Sequence, residues 1–359
     1  MTIKTEIISI DSIKPQPERI SKAAKFVRNG GIVVFPTETV YGIGANAFDE
    51  ASCKKIFEIK GRPADNPLIV HVCSLEEASK IAHIEDKYFK KIKKIWPSPI
   101  TFIAQAKAEL PKSVTAGLDT VAIRMPAHPV ALSLIKEARQ PIAAPSANPS
   151  QKPTATTGSQ CIKYFDGRVD CIIDSGSSFF GIESTIIDLR TFTLLRPGPF
   201  TPKEIENAFS MVPLVGKIAS GKASAGQKVI SPGTKYRHYA PETPLFMFEG
   251  AENKLTKIVE SIEVPFAIIG SSEICSIADR IGCSTISMGS RKDPYNIAKN
   301  LYSSVILLDS LKVKFGIVEA FEEQGVGLAI MNRLRKASAN KAFSTKMELL
   351  KLMQILNSG

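Results

Sequence analysis

Short apolar runs alternate with amphipathic stretches over the first 210 residues of the chain. The apolar runs, bounded by polar or turn residues, predict buried strands, and apolar residues at helical spacing between them predict helices. The predicted strands are residues 32–35, 68–72, 101–106, 121–125, 142–144, 171–174, 184–189 and 194–196. The predicted helices are residues 21–29, 49–60, 75–82, 88–96, 129–139 and 202–209. Because some strands follow one another closely and others are separated by a helix, the pattern predicts a mixed, twisted sheet with flanking helices.

The alternation returns after residue 244 in shorter units. Strands predicted at 245–248, 266–269, 284–287 and 316–320 are separated by helices, the longest of which, 294–311, has a proline in its first turn. Short βα units of this kind are typical of a small Rossmann-like domain. The fold class is therefore α/β throughout, with a smaller second domain.

A stretch of different composition, residues 213–241, separates these two patterns. It contains four glycines, three prolines and five lysines or arginines, and it contains no aspartate or glutamate. Structureless loops inside compact domains rarely exceed roughly 12–15 residues, so this stretch is a linker or a functional loop. The sequence thus predicts domains at 1–210 and 244–359, joined by a basic segment at 211–243.

Length and composition fit this two-domain organisation. The chain has 359 residues, of which 44% are hydrophobic, and can bury two cores. It has no apolar run near the roughly 18 residues of a membrane span, and its first six residues resemble neither a signal nor a transit peptide. We therefore expect a soluble, cytoplasmic protein with no membrane partner. The six cysteines form no C-x-x-C pair and the four histidines no i, i+4 pair, so we expect no structural metal.

The net charge of +11 favours an anionic partner. The alternative is a basic, well-solvated surface, and the lysine-rich helix predicted at 88–96 fits it, because its apolar residues recur at helical spacing and leave the lysines on an outer face. Charge alone does not distinguish ATP from tRNA.

Three short polar segments carry the most specific chemistry. They read Pro-Thr-Glu-Thr-Val-Tyr-Gly at 36–42, Lys-Gly-Arg-Pro-Ala-Asp-Asn-Pro at 60–67 and Pro-Ser-Ala-Asn at 145–148. Ligands of open α/β sheets lie outside the carboxyl ends of the strands, and we expect all three segments at one such edge. Hydroxyls, amides and cations without clustered carboxylates suit the binding of a polyphosphate better than the transfer of a proton.

Two glycine patterns imitate nucleotide-binding motifs. Gly42 and Gly44 fit G-x-G-x-x-A, but six residues separate Gly42 from the preceding strand, so dinucleotide binding is disfavoured. The stretch 216–223 imitates a P-loop, but Ala223 stands where a serine or threonine must ligate Mg²⁺. We interpret it as part of the linker.

The site candidates also have simpler explanations when each is taken alone. Lys60 and Arg62 could be surface cations at a helix C-terminus, and Ser146 could be a turn residue. Ser146 lacks the G-x-S-x-G context of a nucleophile. His71 could be a core histidine. Arg124 needs an anionic partner, either a substrate carboxylate or a structural acid.

Eight motifs taken in order resemble those of the threonylcarbamoyl-AMP synthases, in the long form that couples a YrdC-like catalytic domain to a second α/β domain. The lysine, arginine, serine and asparagine signature of the family corresponds to Lys60, Arg62, Ser146 and Asn148. The opening motif corresponds to 36–42. The further matches are Leu-Ile-Val-His at 68–71, Val-Ala-Ile-Arg-Met-Pro at 121–126, Gly-Ile-Glu-Ser-Thr-Ile-Ile-Asp at 181–188, Leu-Arg-Pro-Gly at 195–198 and Ser-Pro-Gly-Thr-Lys-Tyr-Arg-His-Tyr-Ala-Pro at 231–241.

The resemblance implies a fold and an activity. The fold would be a YrdC-like twisted mixed sheet plus a Rossmann-like C-terminal domain. The enzyme would join L-threonine, bicarbonate and ATP, with Mg²⁺, into threonylcarbamoyl-AMP and release pyrophosphate. The product would serve a separate transferase that modifies tRNA next to the anticodon.

The resemblance also implies residue roles. Lys60 and Arg62 would be catalytic. ATP would be bound by Arg62, Asn66, Thr120, Ser146, Asn148, Thr154 and Arg196. Threonine would be bound by Thr39, His71, Arg124, Ala144 and Ser184, with Arg124 on its carboxylate.

The basic segment contains aromatic residues that a passive linker does not need. We predict that residues 231–241 form a lid over the catalytic groove, with Tyr236 or Tyr239 reaching the nucleotide. In the alternative explanation, the aromatic residues only attach the segment to the second domain. A different function, a non-catalytic module that binds tRNA or double-stranded RNA, stays open, although only 7% of the residues are aromatic and none form a stacking stripe in the key segments.

Overall fold

The computed structural model describes residues 4–107, 109–216 and 239–357, with side chains described up to residue 354. The chain divides into two compact units. The first is built from residues up to 216, and the second from residues 239 onward together with Gln151–Pro153. Within the described residues, no helix has both the length and the apolar character needed to span a bilayer.

The first unit is a mixed sheet with helices on its faces. Its strands are β1 (Glu6–Ser9), β2 (Val33–Phe35), β3 (Gly42–Asn46), β4 (Ile69–His71), β5 (Ala82–His83), β6 (Ile100–Ala106), β7 (Thr120–Arg124), β8 (Ile142–Ala144), β9 (Cys171–Asp174), β10 (Thr185–Asp188), β11 (Thr193–Arg196) and β12 (Leu214–Val215). Its helices are α1 (Pro17–Arg28), α2 (Glu50–Lys60), α3 (Leu75–Ile81), α4 (Asp86–Ile95), α5 (Lys112–Thr115), α6 (Pro129–Ala138), α7 (Gly158–Phe165) and α8 (Pro202–Phe209).

The strand order is β1-β9-β2-β3-β8-β4-β7-β6-β10-β11-β12, with β5 paired to β6. Parallel pairs such as β4 with β7 alternate with antiparallel pairs such as β4 with β8. The prediction of a mixed sheet is therefore confirmed. Helices α1 and α6 pack on one face and enclose a core that includes Val27, Leu134 and Ile173.

The second unit is a parallel sheet in the order β15-β14-β16-β13-β17. Its strands are β13 (Leu245–Phe248), β14 (Phe266–Gly270), β15 (Ser284–Ser287), β16 (Phe315–Glu319) and β17 (Ala342–Phe343). Its helices are α9 (Glu252–Val259), α10 (Ser272–Asp279), α11 (Pro294–Leu308), α12 (Gly327–Ala337) and α13 (Lys346–Asn357). This is the Rossmann-like arrangement that the alternation predicted.

Helix α2 ends where the sequence predicts, and its two ends explain why. Asp49 accepts hydrogen bonds from the backbone N–H groups of Ala51 and Ser52 and caps the first turn. At the other end Gly61 adopts a left-handed conformation, with φ of 60°, which stops the helix. The last helical residue is therefore Lys60, and its side chain is directed into the unit, where it is buried.

The two glycines that imitate a dinucleotide motif lie within a strand. Gly42 and Gly44 belong to β3, which pairs with β2 and β8, so they form no phosphate-binding turn. A Cβ atom on Gly44 would lie 2.6 Å from Cγ2 of Ile142 and 3.0 Å from Cε1 of Phe35. The absence of a side chain at Gly44 therefore leaves room for the side chains of Ile142 and Phe35 to pack over β3. The strand was not predicted, because a glycine-rich run lacks the apolar signal of a strand.

We predict that Gly44→Ala lowers the free energy of unfolding of the first unit by about 1–3 kcal/mol, the usual cost of overpacking a core. The penalty should shrink in an Ile142→Ala background, because the closest clashing atom is then absent. Trp96 is buried in the first unit and is the only tryptophan of the chain, so its fluorescence in urea titrations follows this unfolding. An equal penalty in both backgrounds would contradict this explanation.

Candidate functional site

The first and third polar segments meet at one edge of the sheet. Strands β2 and β8 run in the same direction, and the residues that follow each of them come together there. Gly42 and Ser146 form an antiparallel bridge, and the N–H of Ala147 donates to the carbonyl of Tyr41 over 2.8 Å. This part of the three-segment prediction is what the structure shows.

Lys60 joins the second segment to the third. Its Nζ donates to the carbonyl oxygens of Ser146 at 2.6 Å and Asn148 at 2.5 Å. The Ser146 hydroxyl in turn donates to Oδ1 of Asn148 over 2.7 Å. Burial lowers the pKa of Lys60 well below its usual range, and the nearby charge of Arg62 lowers it further. The ammonium thus fixes the loop after β8 by hydrogen bonds to backbone carbonyls.

Arg62 and Asn66 form the turn that leads into β4. Nη2 of Arg62 donates to the carbonyl oxygen of Asn66 over 2.9 Å, and the guanidinium lies over the Phe57 ring at 5.6 Å. The Asn66 side chain is fully buried, and neither its oxygen nor its nitrogen has a hydrogen-bond partner among the described residues. A buried amide without partners is costly, so it indicates a place for a polar ligand. Thr120, at the start of β7, lies at the corresponding end of the strand that is parallel to β4.

His71 and Arg124 lie at the opposite ends of these strands. They are partners in the register of β4 and β7, so their side chains leave from the same face of the sheet. His71 is not part of the three segments that were expected at one edge, and it lies at the other end of β4, because Asn66 precedes β4 whereas His71 ends it. At about 3.3 Å per residue, the five steps from Asn66 to His71 span at most about 17 Å, so one extended ligand can reach from one group to the other.

Arg124 has an internal acidic partner. Its Nη2 lies 2.7 Å from Oε1 of Glu38, and both side chains are buried. Neither Glu38 oxygen, and neither Nε nor Nη2 of Arg124, makes an aligned hydrogen bond among the described residues. The charges therefore touch without the forked geometry that makes arginine–carboxylate pairs strong, which leaves donors of Arg124 unsatisfied.

His71 is a neutral side chain. Burial and the positive charge of Arg124 lower the pKa of His71 to about 3. Its Nδ1 lies 3.1 Å from the carbonyl oxygen of Ile69 and 3.3 Å from that of Ile142. Carbonyl oxygens only accept hydrogen bonds, so the single proton of the ring belongs on Nδ1, and Nε2 is an acceptor. His71 can thus accept a hydrogen bond from a hydroxyl or an amine.

Residues assigned to the two substrates come into contact at 183–184. Nη2 of Arg196, predicted for the nucleotide, donates to the hydroxyl of Ser184, predicted for threonine, over 3.1 Å. The Thr154 hydroxyl, also predicted for the nucleotide, donates to Oε1 of Glu183 over 2.9 Å. Ser184 also shares a 2.7 Å hydrogen bond with Thr101. The two predicted subsites are therefore adjacent at this segment.

Thr39 and Ala144 are the remaining two residues predicted for threonine. Thr39 is buried, and its hydroxyl is 2.8 Å from that of Thr37. Ala144 is the last residue of β8, and its Cβ would lie 3.1 Å from a Cβ on Gly44. Both residues belong to the segments that connect at the Ser146 edge.

Tyr236 and most of the predicted lid lie outside the described residues. Tyr239 is described and is buried within the second unit, where its ring centroid lies 5.0 Å from that of Tyr302. This packing agrees with the alternative explanation, in which the aromatic residues attach the segment to the second domain. The role of Tyr239 at the nucleotide stays a prediction.

Comparisons with known proteins identify the family. A family model described as "Telomere recombination" matches residues 25–198, and one described as "Threonylcarbamoyl-AMP synthase, C-terminal domain" matches residues 200–339. The threonylcarbamoyl-AMP synthase of Pyrococcus abyssi is 43% identical over 333 residues, covering 89% of this chain and 94% of the relative. That of Bacillus subtilis is 39% identical over 339 residues, covering 92% and 96%.

The chain belongs to the threonylcarbamoyl-AMP synthase family. A solved structure, P. abyssi Sua5 complexed with L-threonine, matches with a TM-score of 0.86 at 39% identity and covers 95% of this chain and all of that one. The predicted family, α/β fold and enzymatic nature are therefore confirmed.

Four further polar residues contact or lie near the predicted site residues and were not predicted: Glu38, Thr101, Glu183 and His128. Glu38 and Glu183 stand inside quoted motifs, and their positions directly before Thr39 and Ser184 were the available signal. Thr101 and His128 lie in an ordinary strand and at a helix cap, and only the strand register and the fold bring them near Ser184 and Arg124.

The low pKa of His71 predicts how stability depends on pH. Between pH 6.5 and about 3 the unfolded chain binds a proton at this position that the folded chain does not bind, so stability falls as the pH falls. From pH 7 to pH 5 this histidine should account for about 2 kcal/mol of the loss in unfolding free energy.

His71→Gln should remove that part of the pH dependence, whatever its effect on stability at pH 7. Urea unfolding of both proteins at pH 7 and pH 5, followed by Trp96 fluorescence, measures it. His83→Gln serves as the control, because His83 is exposed. If the His71 variant loses as much stability between these pH values as the unmodified chain, the buried neutral histidine is the wrong explanation.

Proposed function

We propose that the chain forms threonylcarbamoyl-AMP from L-threonine, bicarbonate and ATP, releasing pyrophosphate. The observation that supports this most directly is the arrangement around β4. Cations and hydroxyls suited to phosphate lie at one end of the strand, and an arginine suited to a carboxylate lies at the other end. Release of pyrophosphate from ATP that requires both threonine and bicarbonate tests the proposal.

The chemistry needs no nucleophile from the protein. The amine of threonine and bicarbonate give a carbamate and water. A carbamate oxygen then attacks the α-phosphorus of ATP, the bond to the β-phosphate oxygen breaks, and pyrophosphate leaves. The protein must bring two anions together and neutralise the leaving group, which is electrostatic and orienting work.

The nucleotide would occupy the Lys60 end of the site. Lys60 and Arg62 would face the phosphates as the catalytic cations, and Ser146 and Asn148 are held in place for the nucleotide by the Lys60 ammonium. The partnerless amide of Asn66 gains hydrogen bonds when a ligand arrives. The remaining proposed contacts with ATP are made by Thr120, Thr154, Arg196 and, from the proposed lid, Tyr236 and Tyr239.

Threonine would occupy the His71 end. Its carboxylate would complete the hydrogen bonds of Arg124, whose contact with Glu38 is not aligned. Nε2 of neutral His71 would accept a hydrogen bond from the amino acid. Thr39, Ala144 and Ser184 would line the same pocket, which brings the amine close to the nucleotide residues at 183–184.

Mg²⁺ would enter with ATP as part of the substrate. Among the described residues there is no group of three histidine, cysteine, aspartate or glutamate side chains that could hold a metal. The nearest acids are engaged, Glu38 with Arg124 and Glu183 with Thr154. The phosphate oxygens of ATP, and not protein side chains, would therefore be the ligands of Mg²⁺.

The roles of the domains and the use of the product are also part of the proposal. Catalysis would belong to domain 1–210, with 211–243 as the lid and 244–359 as a separate domain. A distinct transferase would consume the product to modify tRNA in the cytoplasm. The alternative, an RNA-binding module without activity, predicts strongly salt-dependent RNA binding and no pyrophosphate release.

We predict that Arg62→Ala lowers adenylate formation by about 30- to 1000-fold, corresponding to about 2–4 kcal/mol of lost transition-state stabilisation. Arg62→Lys should also be impaired, because an ammonium cannot reproduce a planar fork. The measurement is pyrophosphate release at saturating ATP. Lys54→Ala is the matched control, since it removes an exposed cation of α2. Near-normal turnover of Arg62→Ala would contradict the phosphate role.

We predict that serine is used less well than threonine by about 1–3 kcal/mol in kcat/KM, the value of one methyl-sized contact in a shaped pocket. The residues proposed to line the pocket are buried, so the missing methyl would leave a gap that they cannot fill. Competition between the two amino acids in the pyrophosphate assay measures the ratio. Equal kcat/KM values would contradict a pocket shaped by Thr39, His71 and Ser184.

A further inference from the structure

The second unit contains a cavity of about 940 Å³ at the carboxyl ends of its strands. Phe248 and Glu319, the last residues of the neighbouring strands β13 and β16, contribute to its walls. The turn after β13 leads to α9, and the turn after β16 leads to α12. When the helices that follow two neighbouring strands lie on opposite faces of an open α/β sheet, a crevice forms between the two turns. Such crevices are common ligand-binding sites.

The packing places α9 and α12 on opposite faces of this sheet. Leu255 of α9 packs in one cluster with Phe246 and Ile317. The other face carries Leu245 and Gly316, where a Cβ on Gly316 would lie 2.7 Å from Leu308 of α11, and α11 packs against α12. The cavity therefore lies at the point where the connections change sides.

The floor of the cavity is apolar and its rim is acidic. Phe248, Ile274, Ile297, Ile330 and Met331 are each at most 2% exposed and line the floor. Five glutamates and two arginines also line the cavity. They are Glu249, Glu252, Glu319, Glu322, Glu323, Arg291 and Arg335. In a chain of net charge +11, this is a local excess of negative charge.

The groups that would bind a phosphate in such a crevice are already used by the protein. Buried Glu319 accepts from the backbone N–H of Ser271 at 2.6 Å, at the turn into α10, and from Nε of Arg291 at 2.5 Å. Arg291 also forms an ion pair with Glu252. Arg335 donates to both oxygens of Glu323, over 2.9 and 2.5 Å. A nucleotide would thus meet filled donors and further carboxylates, which disfavours it.

We propose that this cavity binds a small aliphatic amine of the polyamine class. Ammonium groups would pair with the exposed carboxylates of Glu249 and Glu322 at the rim, and the methylene chain would cover the apolar floor. The volume fits, since small-molecule sites span about 300–1,000 Å³. The binding of this cation is independent of the reaction proposed for the first unit.

Calorimetric titration of the full chain with spermidine tests the proposal. Glu249→Gln combined with Glu322→Gln should weaken binding at least tenfold, because both carboxylates are exposed side chains whose loss leaves the fold intact. Glu260→Gln, an exposed glutamate at the end of α9 and outside the cavity lining, is the matched control and should bind normally. 1,8-Octanediol, which is aliphatic and uncharged, should not bind.

Methyl NMR of ¹³C-methionine protein locates the ligand. The Met331 signal, assigned through Met331→Leu, should shift with spermidine, whereas that of Met125 in the first unit should not. Absence of binding at millimolar spermidine, equal binding by the double variant, or shifts at Met125 without shifts at Met331 would each overturn the proposal. Displacement of spermidine by inorganic phosphate would overturn the assignment of the cavity to a cation.

Discussion

The first unit depends on the burial of one ammonium group. Lys60 is placed at the end of α2 by Gly61, and its Nζ binds the carbonyl oxygens of Ser146 and Asn148. Among the described residues its hydrogen bonds go to backbone carbonyls and the Asn148 side chain and not to a carboxylate, so burial lowers the pKa of the lysine. A ligand with negative charge improves this balance, because it supplies the countercharge that the folded chain alone provides only weakly.

The mixed sheet determines how far apart the two ends of the proposed site lie. In an all-parallel sheet, residues after successive strands would gather at one edge. Here β8 is antiparallel to β4, so the residues after β8 meet those before β4, while His71 and Arg124 remain at the far end. Because β4 is short, a single extended ligand can reach both of its ends.

Much of this arrangement could be predicted from the sequence, and the failures have physical causes. The apolar runs at 142–144 and 171–174 were located to the residue, because each is bounded by turn residues and buried on both faces. Strand β3 was missed, because Gly42 and Gly44 provide space instead of apolar surface. The ion pair of Glu38 with Arg124 could not be predicted, because it joins positions far apart in sequence through side-chain orientation alone.

The ion pair of Glu38 with Arg124 also explains how the first unit accommodates a buried arginine. A buried arginine without an acidic partner would be costly. An acid that accepted two aligned hydrogen bonds from the arginine would form a pair that a substrate carboxylate could not easily break. Glu38 lies at 2.7 Å from Arg124 without aligned hydrogen bonds, which neutralises the charge and leaves directional donors unused. Those donors are therefore available to a carboxylate without strong hydrogen bonds being broken first, which is why we propose that threonine binds here. Arg291 in the second unit shows the opposite case. It donates a short hydrogen bond to Glu319, so it is not available to bind an anion.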